Sequence, residues 1–152
     1  MSAERLTLDA NVLVYAVDTR EPSKQAAAIE IIVAAARMRS KLGLQAIGEF
    51  YVASTRKVKV TPAVARRRVE YLLSTFEVFQ HTRASIAEAA AQAAARRYFF
   101  WDAVLLASAD EAGCTVMLSE DMHDGAKFGN IVVRNPFGPN GLSDAAKKAL
   151  SI

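Results

Sequence analysis

Four acidic residues lie at the ends of apolar segments that are far apart in the sequence. Asp9 ends the stretch RLTLD, Glu49 lies in AIGEFY, Asp102 precedes AVLLASA, and Asp121 follows TVMLSE. If these carboxylates converge, they repel one another, and some hold protons unless a cation neutralises them. Oxygen ligands without His or Cys suit Mg²⁺ or Mn²⁺, and such an ion can activate water and stabilise charge on a phosphodiester. The four acids therefore predict metal-assisted hydrolysis of a nucleic-acid backbone.

Each acid also has an ordinary structural explanation. An Asp at the end of a strand commonly caps the next helix, as Asp9 would, and Asp102 suits the first turn of a helix. Asp121 is compatible with a turn, and Glu49 with an exposed helix position. These separate explanations do not predict that all four side chains face one place, so the joint pattern favours a shared site.

The segments that must position these acids alternate between strands and helices. Short apolar strands are predicted in RLTLD, KLGLQ, EVFQH, TVMLS and NIVVRN. Helical signals separate them, with Asn11 as the N-cap of the first helix and Thr61 as an N-cap before Pro62. The pattern predicts an α/β fold, in which a short, mainly parallel sheet of about five strands is flanked by helices. Ligands of such sheets bind beyond the carboxyl ends of the strands, where the four acids would meet.

Two further segments are predicted to be helical from their composition. The Ala-rich stretch ASIAEAAAQAAARRYF favours a helix along its whole length. After the turn residues NPFGPNG, the last stretch LSDAAKKALSI is typical of a short terminal helix or of a tail.

Composition excludes several classes of protein. The chain has 152 residues, which suits one domain, and 52% of them are hydrophobic, which excludes a disordered chain. One Cys and two His exclude a disulfide framework, a zinc cluster and a multi-histidine metal site. The N-terminus lacks the apolar core of a signal peptide, and no segment approaches the roughly 18 uncharged apolar residues of a membrane helix. These features predict a cytoplasmic protein without membrane contact.

The segments LDANVLVYAVD, IGEFY, FFWDAVLLASA and LSEDMHDG, in this order and spacing, resemble the PilT N-terminal (PIN) domain family, and most of all its VapC-type toxin ribonucleases. The resemblance implies a doubly wound α/β fold and a Mg²⁺- or Mn²⁺-dependent endoribonuclease that is the toxin of a type II toxin–antitoxin pair. Asp9, Glu49, Asp102 and Asp121 match the family's acidic quartet, which is catalytic and binds the metal. Asn11 and Ser119 match its polar helpers beside the site.

The same resemblance implies partners and domain limits. An RNA substrate and a small antitoxin protein would be the partners, and the chain would form a homodimer. A PIN-like nuclease domain is predicted to span residues 1–138, followed by a C-terminal tail or short helix over residues 139–152. The resemblance leaves open whether Asp124 is a fifth ligand or a surface acid, whereas Glu120 is expected to face solvent.

Basic residues cluster in one part of the chain. Residues 55–69 include six basic residues and no acid, namely Arg56, Lys57, Lys59, Arg66, Arg67 and Arg68, and Arg96 and Arg97 form a further pair. We interpret Arg66, Arg67 and Arg68 as candidate RNA contacts, because an all-acid site would otherwise repel phosphates. Replacing them should then weaken binding of all sequences and flatten its salt dependence. The alternative is a solvated helix face.

Other functions remain open on the same sequence. An RNA-processing PIN nuclease that is not a toxin would share the site, and a non-catalytic RNA-binding module would share the fold, although the intact quartet argues against it. A phosphoryl-transfer protein with Asp9 as the phosphorylated residue is disfavoured, because Asn11 stands where haloacid-dehalogenase-type enzymes need a second Asp. The chain has neither G-x-G-x-x-G nor a Walker loop, so no nucleotide cofactor is predicted.

Overall fold

The computed structural model describes residues 3–152, in which strands and helices alternate as the sequence predicts. The strands are β1 (Leu6–Leu8), β2 (Lys41–Gly43), β3 (Glu77–Phe79), β4 (Val116–Leu118), β5 (Lys127–Phe128), β6 (Ile131–Arg134), β7 (Phe137–Gly138) and β8 (Gly141–Leu142). The helices are α1 (Ala10–Tyr15), α2 (Pro22–Arg37), α3 (Leu44–Arg56), α4 (Pro62–Thr75), α5 (Arg83–Ala94), α6 (Phe100–Glu111) and α7 (Asp144–Leu150).

The strands pair mainly in parallel, which confirms the predicted α/β fold. One sheet has the order β1-β4-β6-β5, in which only the β5–β6 pair is antiparallel. The predicted strands β2 and β3 form a separate parallel pair, and β2 contacts β1 without extending its ladder. The five predicted strands are therefore present, but they are divided between two hydrogen-bonded ladders. The carboxyl ends of β1 and β4 lie side by side, since Leu8 pairs with Leu118.

Helices cover both faces of the central strands, so these strands are apolar at nearly every position. Every residue of β1 and β4 is buried, as expected of parallel strands between two helical layers. Helix α6 is buried along residues 103–109 and forms the centre of the core. Among residues 3–152, no helix is long and apolar enough to cross a membrane. Cys114, between α6 and β4, is also buried, and burial raises the pKa of its thiol to about 11.

Two predicted helix boundaries are wrong. Helix α1 begins at Ala10, so its N-cap is Asp9, whose extended backbone precedes the first turn, and Asn11 is already inside the helix. Helix α5 ends at Ala94 instead of continuing to Phe99. Arg96 takes a left-handed conformation with φ 57°, and the chain then turns so that the hydroxyl of Tyr98 donates to the carbonyl of Lys127 at 2.8 Å.

The C-terminal segment packs onto the rest of the fold. Strands β7 and β8 form a hairpin, and Ser143 caps α7 by accepting a hydrogen bond from the amide of Ala146 at 3.1 Å. Ala146, Ala149 and Leu150 are buried, and α7 contacts α2. Residues 144–150 are thus a helix whose apolar side extends the core.

Candidate active site

Asp9 leaves β1 at the edge where the strand ends meet, and its amide donates to the carbonyl of Leu118 at 3.0 Å. Its side chain is only 7% exposed, yet both carboxylate oxygens have partners. Oδ1 accepts from the amide of Ala10 at 2.7 Å, while Oδ2 accepts from the hydroxyl of Ser119 at 2.7 Å and from Nδ2 of Asn11 at 3.2 Å. Asp9 therefore caps α1 with one oxygen and enters a polar network with the other.

Asn11 and Ser119 connect this carboxylate to the loop that follows β4. Oδ1 of Asn11 accepts from the amide of Glu120 at 3.2 Å, and Oγ of Ser119 accepts from the amide of Met122 at 3.2 Å. The two side chains also contact each other, at 3.3 Å between Nδ2 and Oγ. The loop that carries Asp121 is thereby fixed relative to Asp9.

Four different parts of the fold bring the four acids to one cleft. Glu49 lies in the second turn of α3, Asp102 in the first turn of α6 and Asp121 just after β4. Together with Asp9 they line a cleft of about 930 Å³, which we call the acidic cleft.

The electrostatics of these side chains reflect this convergence. Burial, followed by the charges of Asp9, Glu49 and Asp121, raises the pKa of Asp102 to about 6. Burial also raises the pKa of Asp9 in spite of its hydrogen bonds, and Asp121 adds to that rise. The pKa of Glu49 is raised by burial and by Asp9, against the lowering effect of its hydrogen bond with Gln45. The acids therefore destabilise each other's charged forms.

The chemistry of the donor set fits a hard divalent cation, because it consists of carboxylates without imidazole or thiol. Within residues 3–152, no group of three or more His, Cys, Asp or Glu side chains is arranged so that it could hold a metal ion as it stands. A cation would remove the repulsion that raises these pKa values, and the four side chains would have to close around it.

Gln45 is a member of the site that the sequence did not reveal. Its Nε2 donates to Oε1 of Glu49 at 2.7 Å and to the carbonyl of Trp101 at 2.9 Å. Its own Oε1 is buried and has no hydrogen-bond partner among the residues described. Gln45 thus joins α3 to the first turn of α6, which carries Asp102. The only sequence signal is the spacing of four residues between Gln45 and Glu49 on one helix face.

Glu120 does not face solvent, so that expectation is wrong. Its Oε1 accepts a hydrogen bond from the hydroxyl of Tyr15 at 2.6 Å, and its Oε2 lies 2.7 Å from Nζ of Lys24. This cluster ties the loop after β4 to α1 and α2. Asp124 is exposed and lies outside the acidic cleft, where its Oδ1 accepts from the amide of Asn135 at 2.9 Å.

Basic side chains approach the acids from two directions. Arg56 and Lys57, at the end of α3, line the acidic cleft. A second cavity of about 870 Å³ shares Asp102 and Asp121 with that cleft, and we call it the arginine groove. The basic residues that line the arginine groove are Arg96, Arg97 and Lys127, together with His123.

The candidate RNA contacts on α4 are placed elsewhere. Arg66, Arg67 and Arg68 are exposed and line neither the acidic cleft nor the arginine groove. Nε of Arg66 is instead 2.9 Å from Oε1 of Glu70, one turn later on the same helix. The structure therefore brings Arg56 and Lys57, rather than the run of three arginines, to the acids.

Comparisons with known proteins agree with this architecture. The family model of the PIN domain matches residues 6–123, whereas no curated protein sequence matches the chain. Similar solved structures include FitAB bound to an IR36 DNA fragment, with 17% identity, a TM-score of 0.62 and coverage of 86% of this chain and 94% of that one. VapBC2 from Rickettsia felis, bound to a DNA fragment from its promoter, gives 12% identity, a TM-score of 0.61 and coverage of 86% and 97%.

A third similar structure is VapC20 from Mycobacterium tuberculosis, described as a sarcin–ricin loop cleaving toxin. It shares 18% identity and a TM-score of 0.57, with coverage of 76% of this chain and 91% of that one. At such identities the likeness shows a common fold, whereas the family match extends over most of the chain. The chain belongs to the PIN domain family.

Proposed function

We propose that this protein is a metal-dependent endoribonuclease and the toxin of a type II toxin–antitoxin pair. The observation that carries the proposal is the convergence of four carboxylates, from four separate elements, on one cleft that basic side chains also line. Membership of the PIN domain family supports a nuclease, and the likeness to toxin–antitoxin structures supports the biological role.

The proposed roles follow from the geometry of the residues. Asp9, Glu49, Asp102 and Asp121 would hold Mg²⁺ or Mn²⁺, which when bound supplies an activated water and stabilises charge on the phosphate. Ser119 and Asn11 orient Oδ2 of Asp9, and Gln45 orients Oε1 of Glu49. Because these orienting groups are themselves bonded to the backbone, the carboxylates of Asp9 and Glu49 are held in position before substrate binds.

The charges around the cleft suit an RNA backbone. Arg56 and Lys57 would bind phosphates on the α3 side of the acids, and Arg96, Arg97 and Lys127 would bind them on the α5 side. A strand that crosses the acidic cleft would thus meet positive charge both before and after the reacting phosphate, which offsets the repulsion by the four acids.

The proposal assigns the antitoxin a binding surface on this chain. An apolar groove of about 260 Å³ lies between α2 and α4, and it is lined by Ile29, Val33 and Tyr71, which are exposed. A short amphipathic helix of a small antitoxin would cover these side chains.

A homodimer is part of the same proposal. Growth arrest on expression that a co-expressed antitoxin relieves would separate a toxin from an RNA-processing nuclease.

The test is RNA cleavage with and without Mg²⁺ by the wild-type protein and by Asp9→Asn and Asp102→Asn. We expect activity that requires the metal and a fall of about 10²-fold or more in either variant, since the ion supplies both nucleophile and charge stabilisation. Asp9→Asn keeps the oxygen that caps α1, so its fold should survive.

Asp124→Asn is the matched control, because the same substitution is made in a nearby acid that lies outside the cleft. It should retain activity. Melting temperatures provide an independent readout: Mn²⁺ should stabilise the wild-type protein and Asp124→Asn, but not Asp9→Asn. A fully active Asp9→Asn protein would remove the acidic quartet from the proposal.

A further inference from the structure

Two large aromatic side chains at the start of α6, next to Asp102 in the sequence, are exposed to solvent. Tyr98, Phe99, Phe100 and Trp101 are consecutive, and Phe99 is 83% exposed and Trp101 56%. Phe99 lines the arginine groove together with Asp102 and Asp121, and Trp101 directly precedes Asp102. Such exposure of apolar rings next to a functional cleft is typical of a binding surface.

The backbone that carries these rings is firmly anchored. The hydroxyl of Tyr98 donates to the carbonyl of Lys127 at 2.8 Å, and its ring packs edge-on against Phe128 with a centroid distance of 5.5 Å. Phe100 packs against the core, and the carbonyl of Trp101 accepts from Nε2 of Gln45 at 2.9 Å. The ring of Trp101 also meets Phe100 and His81 edge-on. The exposed rings are therefore presented on a fixed support, which keeps the entropy cost of binding a flat partner low.

We propose that Phe99 and Trp101 are the side chains that stack against unpaired bases of the RNA, which makes them base-contacting residues of the proposed nuclease. The inference rests on the proposed nuclease function and adds a contact to bases. Charge complementarity selects a nucleic acid as the occupant, because Arg96, Arg97 and Lys127 line the groove that Phe99 enters. Aromatic rings beside a basic groove are the means by which proteins bind single strands, whereas the bases of a duplex are stacked on each other and do not reach these rings.

Trp101 is the only tryptophan of the chain, so its fluorescence reports this contact directly. In EDTA, a short single-stranded oligoadenylate should quench the emission, whereas inorganic polyphosphate and a duplex of the same length should not. If polyphosphate quenched the emission of Trp101 as strongly as oligoadenylate does, the quenching would be an effect of charge, and the proposal would be overturned.

Substitutions of Phe99 test the second ring. Phe99→Ala should weaken oligoadenylate binding by at least about fivefold, and Phe99→Leu should do the same, because a stacked base contributes roughly that much and Leu lacks a flat face. Phe99→Tyr should bind like the wild-type protein. Tyr51→Ala, which removes an exposed ring from α3 outside both cavities that contain the acids, should leave binding unchanged.

Two outcomes separate this inference from the proposed function. RNA cleavage by the wild-type protein together with normal oligonucleotide binding by Phe99→Ala and Phe99→Leu would overturn the stacking contact and leave the nuclease standing. Stacking without Mg²⁺-dependent cleavage would do the reverse. If light scattering shows that Phe99→Ala changes the oligomeric state while RNA affinity is unaltered, the rings form an interface between copies of this chain and the proposal is wrong.

Discussion

At the scale of single residues, the folded state disfavours the ionised form of Asp102. Its pKa is about 6 in the folded protein and ordinarily 3.8, so between these values the folded state binds more protons than the unfolded state. Stability then falls as pH rises. The contribution of Asp102 to the free energy of unfolding is fully favourable below pH about 4 and is lost once the pH has passed about 6. In metal-free protein, ionised Asp102 therefore destabilises the fold near neutral pH.

Asp102→Asn should remove this pH dependence. We expect the metal-free variant to melt at a higher temperature than the wild-type protein near pH 7, and the two melting temperatures to converge towards pH 4. Thermal melting of both proteins in EDTA across this range measures the difference. The effects of groups that both proteins share, such as Asp18, whose pKa is lowered by Arg20, cancel in the difference between the two melting temperatures. A difference that stays constant with pH would contradict the assignment.

At the scale of elements, Ser119 joins the end of β4 to the end of β1. Ser119→Ala removes the 2.7 Å hydrogen bond to Asp9 and leaves the buried amide of Met122 without its acceptor. A cost of about 1–3 kcal/mol in the free energy of unfolding is expected from such an orphaned group. Cleavage should fall as well, because Oδ2 of Asp9 loses its closest orienting partner.

Ser108→Ala is the control for this change. Ser108 is equally buried, but its hydroxyl donates at 2.6 Å to the carbonyl of Val104, one turn earlier within α6. That carbonyl belongs to the helix's own hydrogen bonding, so the substitution should cost less than about 1 kcal/mol and leave cleavage unchanged. Urea denaturation of the two variants compares them, and equal losses would mean that the Ser119 network adds nothing to an ordinary buried hydroxyl.

The same scale shows what a sequence can predict in this fold. The five longer strands were predictable because each contains a short apolar run bounded by helical signals or turn residues, and Asp9, Asp102 and Asp121 stand at their ends or at helix starts. Strands β5, β7 and β8 have two residues each, which is too short for any periodicity. The end of α5 was missed because Arg96 occupies a left-handed position that Gly or Asn usually marks.

Long-range pairs outside the family's motifs could not be predicted. Glu120 meets Tyr15 and Lys24, which lie about a hundred positions earlier, and nothing local distinguishes it from a solvated acid. Gln45 likewise acquires its role only because the start of α6 lies against α3. The acids of the site were thus predictable as a set, and the family resemblance also named Asn11 and Ser119, which hold Asp9, whereas Gln45 and the partners of Glu120 were not predictable.

At the scale of the whole molecule, the positions of the charged residues say more about RNA binding than the net charge of +3 does. Arg56 and Lys57 line the acidic cleft, whereas Arg66 and Arg67 do not. A double variant Arg56→Ala/Lys57→Ala should reduce the slope of log affinity against log salt by about 1.4 for single-stranded RNA, if each residue contacts one phosphate. The control Arg66→Ala/Arg67→Ala should keep the wild-type slope.

Binding of RNA at several salt concentrations in EDTA measures these slopes. The opposite pattern, with a flattened slope only in the α4 variant, would return the phosphate contacts to the arginine run that was named as a candidate from the sequence. Because the two pairs carry equal charge, their comparison removes the general effect of lowering the net charge.

Because Cys114 is buried between α6 and β4, the reactivity of its thiol can be used to measure local opening of the structure. The thiolate is the nucleophile that attacks thiol reagents, and a buried thiol with a pKa of about 11 is almost entirely protonated near neutral pH. A maleimide dye therefore reacts with molecules in which the structure around Cys114 has opened. Since the sequence contains a single cysteine, the rate of labelling reports opening around the junction of α6 and β4, and a ligand that stabilises this junction should slow the labelling.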